Sequence, residues 1–430
     1  MGSHAELLAR HRQVLPDWMA LYYDQPIALS HGEGCHVWDV EGNRYLDLFG
    51  GILTTMTAHA LPEVVAAVRE QAGKLLHSST LYLIESQIAL AERIVELSPI
   101  PDAKVFFTTS GTEANEAALL LACTARRSQQ VLAVRNSYHG RSFATVAITG
   151  NRGWSPSALS PVDVKYIHGG YRLRSPFGHL DDEGFIGACV DDLRDVIATQ
   201  TAGDIACLIA EPIQGVGGFA TPPDGLFAAW KEVCDEHGIL LISDEVQTGW
   251  GRTGEHFWGI DAHGVSPDML TFAKGLGNGL TLAGVVARGD VMDGLPANSI
   301  STFGGNPLSC AGALANLAYL LDHDLQGNAA KVGGYLLHEL SARAADWPAV
   351  AEVRGRGLMI GIEMVEPGGL TPDPAAAAQV LEDTLARGVL VGKGGLHGNV
   401  LRIAPPLTIT AEEAEEGLAV VAAALSGLTE

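Results

Sequence analysis

From about residue 62 to 320, short runs of apolar and β-branched residues alternate with stretches whose apolar positions recur every three or four residues. Val64, Val65, Val68, Ala72, Leu75 and Leu76 share one helical face, as do Ile88, Ala91, Ile94 and Val95. Between such stretches the pattern predicts strands at 104–108, 131–134, 144–148, 205–210, 239–243, 269–272 and 282–287. Several are near-continuous apolar runs, as befits parallel strands covered on both faces. Strand and helix in alternation is the signature of an α/β domain with a mostly parallel central sheet.

The chain ends read differently. A helix is predicted over 329–344, strands over 350–365, a helix over 374–387, then further strands and a last helix, which together make an α+β unit. Near the start, His36 to Val40 and Arg44 to Asp47 flank Glu41-Gly42-Asn43 as a strand, turn and strand. The expected division is therefore a large α/β domain over 61–320 and a smaller α+β domain built from 1–60 and 321–430 together. No internal repeat or low-complexity tract interrupts it.

Composition narrows the function. The 430 residues can bury roughly three quarters of their unfolded surface. With 47% hydrophobic residues, 18% charged residues and 51 Gly, disorder, fibrous repeats and a small disulfide scaffold are excluded. The net charge of −23 repels polyanions, and no basic run exceeds Arg126-Arg127, so nucleic acid and anionic membrane surfaces are not expected partners. The six cysteines have neither CxxC nor zinc spacing, so no metal is expected, and they read as small core residues in a reducing compartment. No segment has the ~20 uninterrupted apolar residues of a membrane span, and the N-terminus lacks a signal-peptide core. The expected location is the cytoplasm and the expected partner is small.

In an open α/β sheet, ligands bind beyond the carboxyl ends of the strands, and three such ends are informative. After Val105 to Thr109 comes Ser110-Gly111-Thr112-Glu113, with the spacing of a capping box and a glycine that admits a ligand to the backbone. Free N–H groups there suit a phosphate, although an ordinary capped helix reads the same way. After 239–243 comes Asp244, a carboxylate at the end of a buried strand; it needs a cationic or N–H partner, which a protonated heterocycle nitrogen or merely the next turn can supply. After Met269 to Ala273 comes Lys274, one of only seven lysines, followed by Gly275-Leu276-Gly277-Asn278-Gly279. Desolvation at that point would free its amine as a nucleophile, the alternative being a lysine on a solvated loop. A phosphate cradle, a buried anion and an amine are the handles by which proteins hold pyridoxal 5′-phosphate.

Six motifs in order bear this out. Thr109-Ser110-Gly111-Thr112-Glu113-Ala114, Tyr138-His139-Gly140, Glu211-Pro212, Asp244 through Gly254, Lys274-Gly275 and Thr302-Phe303-Gly304-Gly305-Asn306-Pro307 resemble, over nearly the whole chain, the class III (ω-amino acid) aminotransferases. The resemblance implies fold type I of the pyridoxal-phosphate enzymes. It makes Lys274 the Schiff-base lysine and Asp244 the partner of the ring nitrogen, with Val246 and Tyr138 on the two ring faces and Gln247 near the phenolic oxygen. Ser110, Gly111 and Thr112 match the phosphate cradle, His139 counts among the cofactor-binding residues, and Glu211 matches an orienting group. Thr302 matches a residue that reaches the phosphate of a neighbouring subunit, which implies a homodimer, with a tetramer left open.

For substrates, Arg141 matches an arginine that holds a distal carboxylate, and Arg402 one that takes the α-carboxylate; either can also be a surface ion pair. Ile52 is a candidate pocket wall or a plain core residue. Glutamate-using relatives often carry Glu in the glycine-rich stretch after Gln214, where this chain has Gly215-Val216-Gly217-Gly218. Pyruvate or glyoxylate is therefore favoured as the 2-oxo acid over 2-oxoglutarate, with β-alanine, 3-aminoisobutyrate or 4-aminobutyrate as amino donor. A decarboxylase or aminomutase of the same fold shares every motif. A nicotinamide-dependent oxidoreductase would want GxGxxG with an acidic residue about 20 further on, companions that Gly111 lacks. A non-catalytic cofactor-binding protein is the remaining rival.

Overall fold

The computed structural model describes residues 2–157 and 159–428. Near the start, β1 (Leu29–Glu33), β2 (His36–Asp39) and β3 (Arg44–Asp47) form an antiparallel meander whose β2–β3 hairpin is the predicted one. The middle of the chain supplies β4 (Ala103–Thr108), β5 (Gln130–Val134), β6 (Asp163–Ile167), β7 (Cys207–Ala210), β8 (Leu240–Asp244), β9 (Met269–Phe272) and β10 (Ala283–Arg288). These make one seven-stranded sheet in the order β4-β10-β9-β8-β7-β5-β6. Only β10 runs antiparallel, to both of its neighbours. Strands β7, β8 and β9 are buried along their whole length, which is why their sequences carry apolar residues without alternation. Thr108, Asp244 and Phe272 consequently end at one edge of the sheet.

One predicted strand is a helix. Residues 144–148 fall on the short helix Phe143–Ala147, where Thr145 Oγ1 accepts from the Ser142 N–H at 2.9 Å and Val146 N bonds Ser142 O at 2.8 Å. Five apolar residues satisfy either period, and the cap decides the matter. The place beside β5 goes to β6, an edge strand whose Asp163 and Lys165 hide the signal.

The end of the chain adds β11 (Val350–Arg356), β12 (Met359–Met364), β13 (Val389–Leu390), β14 (Gly392–Gly394) and β15 (Val400–Ile403). A four-stranded sheet runs β11-β12-β15-β14, while β13 pairs in parallel with β3 and so joins the two chain ends in another. The helices Leu325–Arg343, Pro374–Ala386 and Ala411–Gly427 stand within a few residues of expectation. The six cysteines are unpaired and five are buried. No helix among the described residues is long and apolar enough to cross a membrane.

Candidate active site

The first element is the start of the helix Gly111–Arg126. Ser110 caps it, its hydroxyl accepting from Glu113 N at 3.2 Å, but the Glu113 carboxylate turns to Thr109 N at 2.7 Å rather than to Ser110 N. The reciprocal half of the predicted box thus shifts by one residue. A Cβ at Gly111 would stand 3.1 Å from Val246, so glycine lets the first helical turn close against the loop that follows β8.

Asp244, at the end of β8, is 3% exposed. Its Oδ2 accepts from Asn115 Nδ2 at 2.8 Å and pairs with His139 Nδ1 at 2.7 Å, and its Oδ1 accepts from Val246 N at 3.1 Å. Asn115 is itself held, with Nδ2 donating to His139 O at 2.8 Å and Oδ1 accepting from Thr271 at 2.7 Å. Neither carboxylate oxygen can swing, because every partner is anchored on a different element. Asn115 is the residue that sequence reasoning passed over. Its signal is a lone amide in a buried helical stripe of Ala114, Ala118, Leu119 and Ala122.

Lys274 follows β9 with φ 43°, a left-handed conformation that directs its side chain into the same space as Asp244. Its amine makes no hydrogen bond or ion pair among the described residues. Burial pushes it down to about 8; Asp244 and Glu211 oppose that fall and Arg402 adds to it. Glu211 accepts from Tyr138 N at 2.9 Å and Gly215 N at 2.8 Å, and burial lifts its carboxyl to about 7, against the pull of His139 and with the help of Asp244. Gln247 is buried with Oε1 unpartnered, and a Cβ at Gly215 would lie 2.3 Å from its amide carbon. A cavity of about 180 Å³ gathers all the predicted cofactor residues except Ser110 and Thr302. A free amine, a fixed carboxylate, an unpartnered amide oxygen and open helix N–H groups around that cavity fit a phosphorylated, carbonyl-bearing pyridine.

Arg402, on β15, is 3% exposed and is no surface ion pair: no acidic side chain among the described residues reaches it. Its Nη2 donates to Lys393 O at 2.9 Å and to Tyr22 Oη at 3.4 Å, its Nη1 to Gly215 O at 3.3 Å, and its Nε has no partner. The guanidinium lies between the rings of Phe49, at 4.8 Å, and Phe219, at 5.6 Å. Arg141 instead is exposed, 5.5 Å over the ring of Trp18. Thr302 is exposed and outside the cavity. Ile52 is 43% exposed, which corrects the plain core alternative, and neither it nor Arg141 lines the cavity. It stands in a run of four left-handed residues, Gly50 to Leu53, because the Asp47 carboxylate captures Phe49 N and Gly50 N, each at 2.9 Å, and turns the chain there.

Residues 19–425 match the family model for aminotransferase class-III. The chain is 39% identical over 411 residues to the mitochondrial alanine–glyoxylate aminotransferase 2 homolog 2 of Arabidopsis thaliana, covering 95% of this chain and 85% of that one. Among solved structures, an (S)-enantioselective ω-transaminase from Thermomicrobium roseum superposes with a TM-score of 0.91 at 35% identity over the full length of both chains. An amine transaminase from an uncultivated Pseudomonas species, solved with pyridoxal phosphate bound, gives a TM-score of 0.89 at 32% identity, covering 96% of this chain and 98% of that one. The sheet with its ligand edge, the cavity between Asp244 and Lys274 and these similarities agree: the chain belongs to the class III aminotransferases, pyridoxal-phosphate-dependent enzymes of fold type I.

Proposed function

We propose that the chain moves an amino group from a short ω- or β-amino acid, of the β-alanine, 3-aminoisobutyrate or 4-aminobutyrate type, to pyruvate or glyoxylate in two half-reactions. When bound, pyridoxal phosphate supplies an electrophilic carbonyl and a ring that takes up the electron pair left when the substrate's C–H bond breaks. Gly111 and Thr112, at the helix N-terminus, hold the phosphate. Asp244, fixed by Asn115 and His139, keeps a proton on the ring nitrogen, while Val246 and Tyr138 confine the ring faces and Gln247 meets the phenolic oxygen. Lys274 would hold the cofactor through its amine, and the same amine, when free, would move a proton between the substrate carbon and the neighbouring position; burial already pushes its pKa down to about 8. In the second half-reaction the same groups act in reverse order on the acceptor.

Arg402 receives the α-carboxylate of the acceptor, and Arg141 a carboxylate remote from the donor amine. The observation that carries the acceptor preference is Arg402 itself, buried among carbonyls and rings with no carboxylate among the described residues paired to its charge. A carboxylate of that kind, the Glu that can neutralise the α-carboxylate arginine in glutamate-using relatives, has no counterpart at Val216. A second copy would supply Thr302, whose exposure outside its own cavity suits that role, and the unpaired cysteines suit the reducing cytoplasm. The division into a cofactor domain over 61–320 and a smaller domain from both chain ends belongs to the same proposal.

The holoenzyme should show an absorbance band at the edge of the visible that borohydride abolishes and that Lys274→Ala lacks. No chromophore after incubation with pyridoxal phosphate defeats the assignment. Single-turnover rates with pyruvate and 2-oxoglutarate that prove equal refute the acceptor preference, and Arg141→Ala retaining full β-alanine activity removes the distal role.

A further inference from the structure

Arg354, Gly361 and Arg402 stand in register across β11, β12 and β15, since Arg354 pairs with Gly361 and Gly361 with Arg402. Residues opposite one another across neighbouring strands project from the same face of a sheet. The middle position of this row has no side chain, and the turn Gly215–Gly218 crosses the sheet there. A Cβ at Gly361 would lie 2.7 Å from Gly218 O. The two arginines grip that turn at opposite ends. Arg354 donates to Gly218 O from Nε at 3.1 Å and from Nη2 at 2.9 Å, and Arg402 donates to Gly215 O at 3.3 Å. Gly218 N closes the turn on Gly215 O at 3.2 Å, and Val216 O accepts from Gly395 N at 2.9 Å, next to the Lys393 carbonyl that also holds Arg402.

Arg354 is fixed in turn. Its Nη1 bonds Glu363 Oε2 at 2.6 Å and also reaches Glu352, and its guanidinium lies 4.9 Å over the ring of Tyr171. Glu363, fully buried, further accepts from Tyr171 Oη at 2.7 Å and Arg174 Nε at 2.8 Å. A buried cluster of this completeness is rigid, and its members come from β11, β12 and the loop after β6. The Gly215–Gly218 turn links it to the cavity, since Gly215 N also holds Glu211.

We infer that Arg354, locked by Glu363, is a positioning residue for the carboxylate site: it holds the glycine turn down over Gly361 and so fixes the Gly215 carbonyl that aims Arg402. The inference rests on the assignment of Arg402 to the substrate carboxylate. Loosening the clamp should weaken recognition of carboxylates and leave the cofactor and its reaction with uncharged reagents as they were.

The test uses holoenzymes of the wild type, Arg354→Gln, Arg354→Lys, Gly361→Ala and Arg402→Gln. Propionate binding is measured by calorimetry, and the cofactor absorbance change is followed with aminooxyacetate, which bears a carboxylate, and with methoxyamine, which does not. Arg354→Gln should bind propionate at least tenfold more weakly and react more slowly with aminooxyacetate by a similar factor, with methoxyamine rates within twofold of wild type. Arg354→Lys, which keeps the charge but cannot grip Gly218 O with two N–H groups, should fall between. Gly361→Ala, which lifts the turn without touching either arginine, should resemble Arg354→Gln. Should Arg354→Gln not fold, Arg354→Lys and Gly361→Ala decide alone. Propionate affinities within twofold of wild type, or equal slowing with both reagents, overturn the inference. Arg402→Gln separates the two layers. If it binds propionate like the wild type, the assignment of Arg402 fails and the inference with it; if it alone loses propionate, only the clamp is refuted.

Discussion

Replacing Lys274 by Met should stabilise the apoprotein, and the gain should vanish at high pH. Methionine keeps the length and volume of the side chain and removes the ionisable amine. The pKa of Lys274 falls from 10.5 to about 8 on folding, chiefly because burial strips water from the ammonium. At 1.36 kcal/mol per tenfold change in proton affinity, the protonated amine costs the folded apoprotein at most about 3 kcal/mol. The sign follows from proton counting. Below pH 8 both states carry the proton and the native state bears the full penalty. Between pH 8 and 10.5 the native state releases its proton while the unfolded chain keeps it, so wild-type stability rises with pH. Above 10.5 both are neutral and the penalty is gone. Thermal midpoints of the two apoproteins, measured by calorimetry at half-unit steps from pH 6.5 to 11, should therefore differ by several degrees at neutral pH and converge above pH 10. Coincident midpoints at pH 7, or a gap that persists unchanged to pH 11, would show that the amine is not desolvated and would remove that support for its proposed role as a nucleophile.

Asn115→Asp would set a second carboxylate 2.8 Å from Asp244 Oδ2. Two carboxylates so close cannot both ionise, so cofactor affinity, read by titrating the absorbance band, should fall at least tenfold, and an unchanged affinity would exclude the ring-nitrogen role of Asp244. Ile52→Gly should raise the thermal midpoint. The isoleucine is 43% exposed at φ 65°, where a non-glycine residue costs about 1–2 kcal/mol, more than the packing lost; a lowered midpoint would mean the side chain is covered in the assembled enzyme.

Much of the fold was legible because its elements are locally specified. The runs at 104–108, 131–134 and 269–272 are strands, and the Glu41-Gly42-Asn43 turn pairs its flanks as expected. Where local information is short, expectation failed. Residues 144–148 are too few to fix a period, and β6 is an edge strand whose charges mask its apolar positions. In the candidate site, the residues of the cavity sit directly after strands and inside glycine-marked turns, so position along the chain pointed to them. Asn115, Tyr22 and Arg354 did not stand out, because an amide, a phenol and a guanidinium acquire their roles only from what they meet.

The sequence by itself determined that a carboxylate, an amine and an open helix N-terminus end up at one sheet edge, since periodicity and glycine punctuation place each of them just past a strand. Only the tertiary structure decided how those groups are tuned. Asn115 and His139 converge on one oxygen of Asp244 from a helix and a loop that the sheet order brings together. Arg402 is caught between Phe49 and Phe219 and touched by Tyr22, 380 residues away in the chain. Local sequence specifies backbone conformation through neighbours a few residues apart, whereas desolvation and hydrogen bonding are set by whichever distant side chains pack alongside.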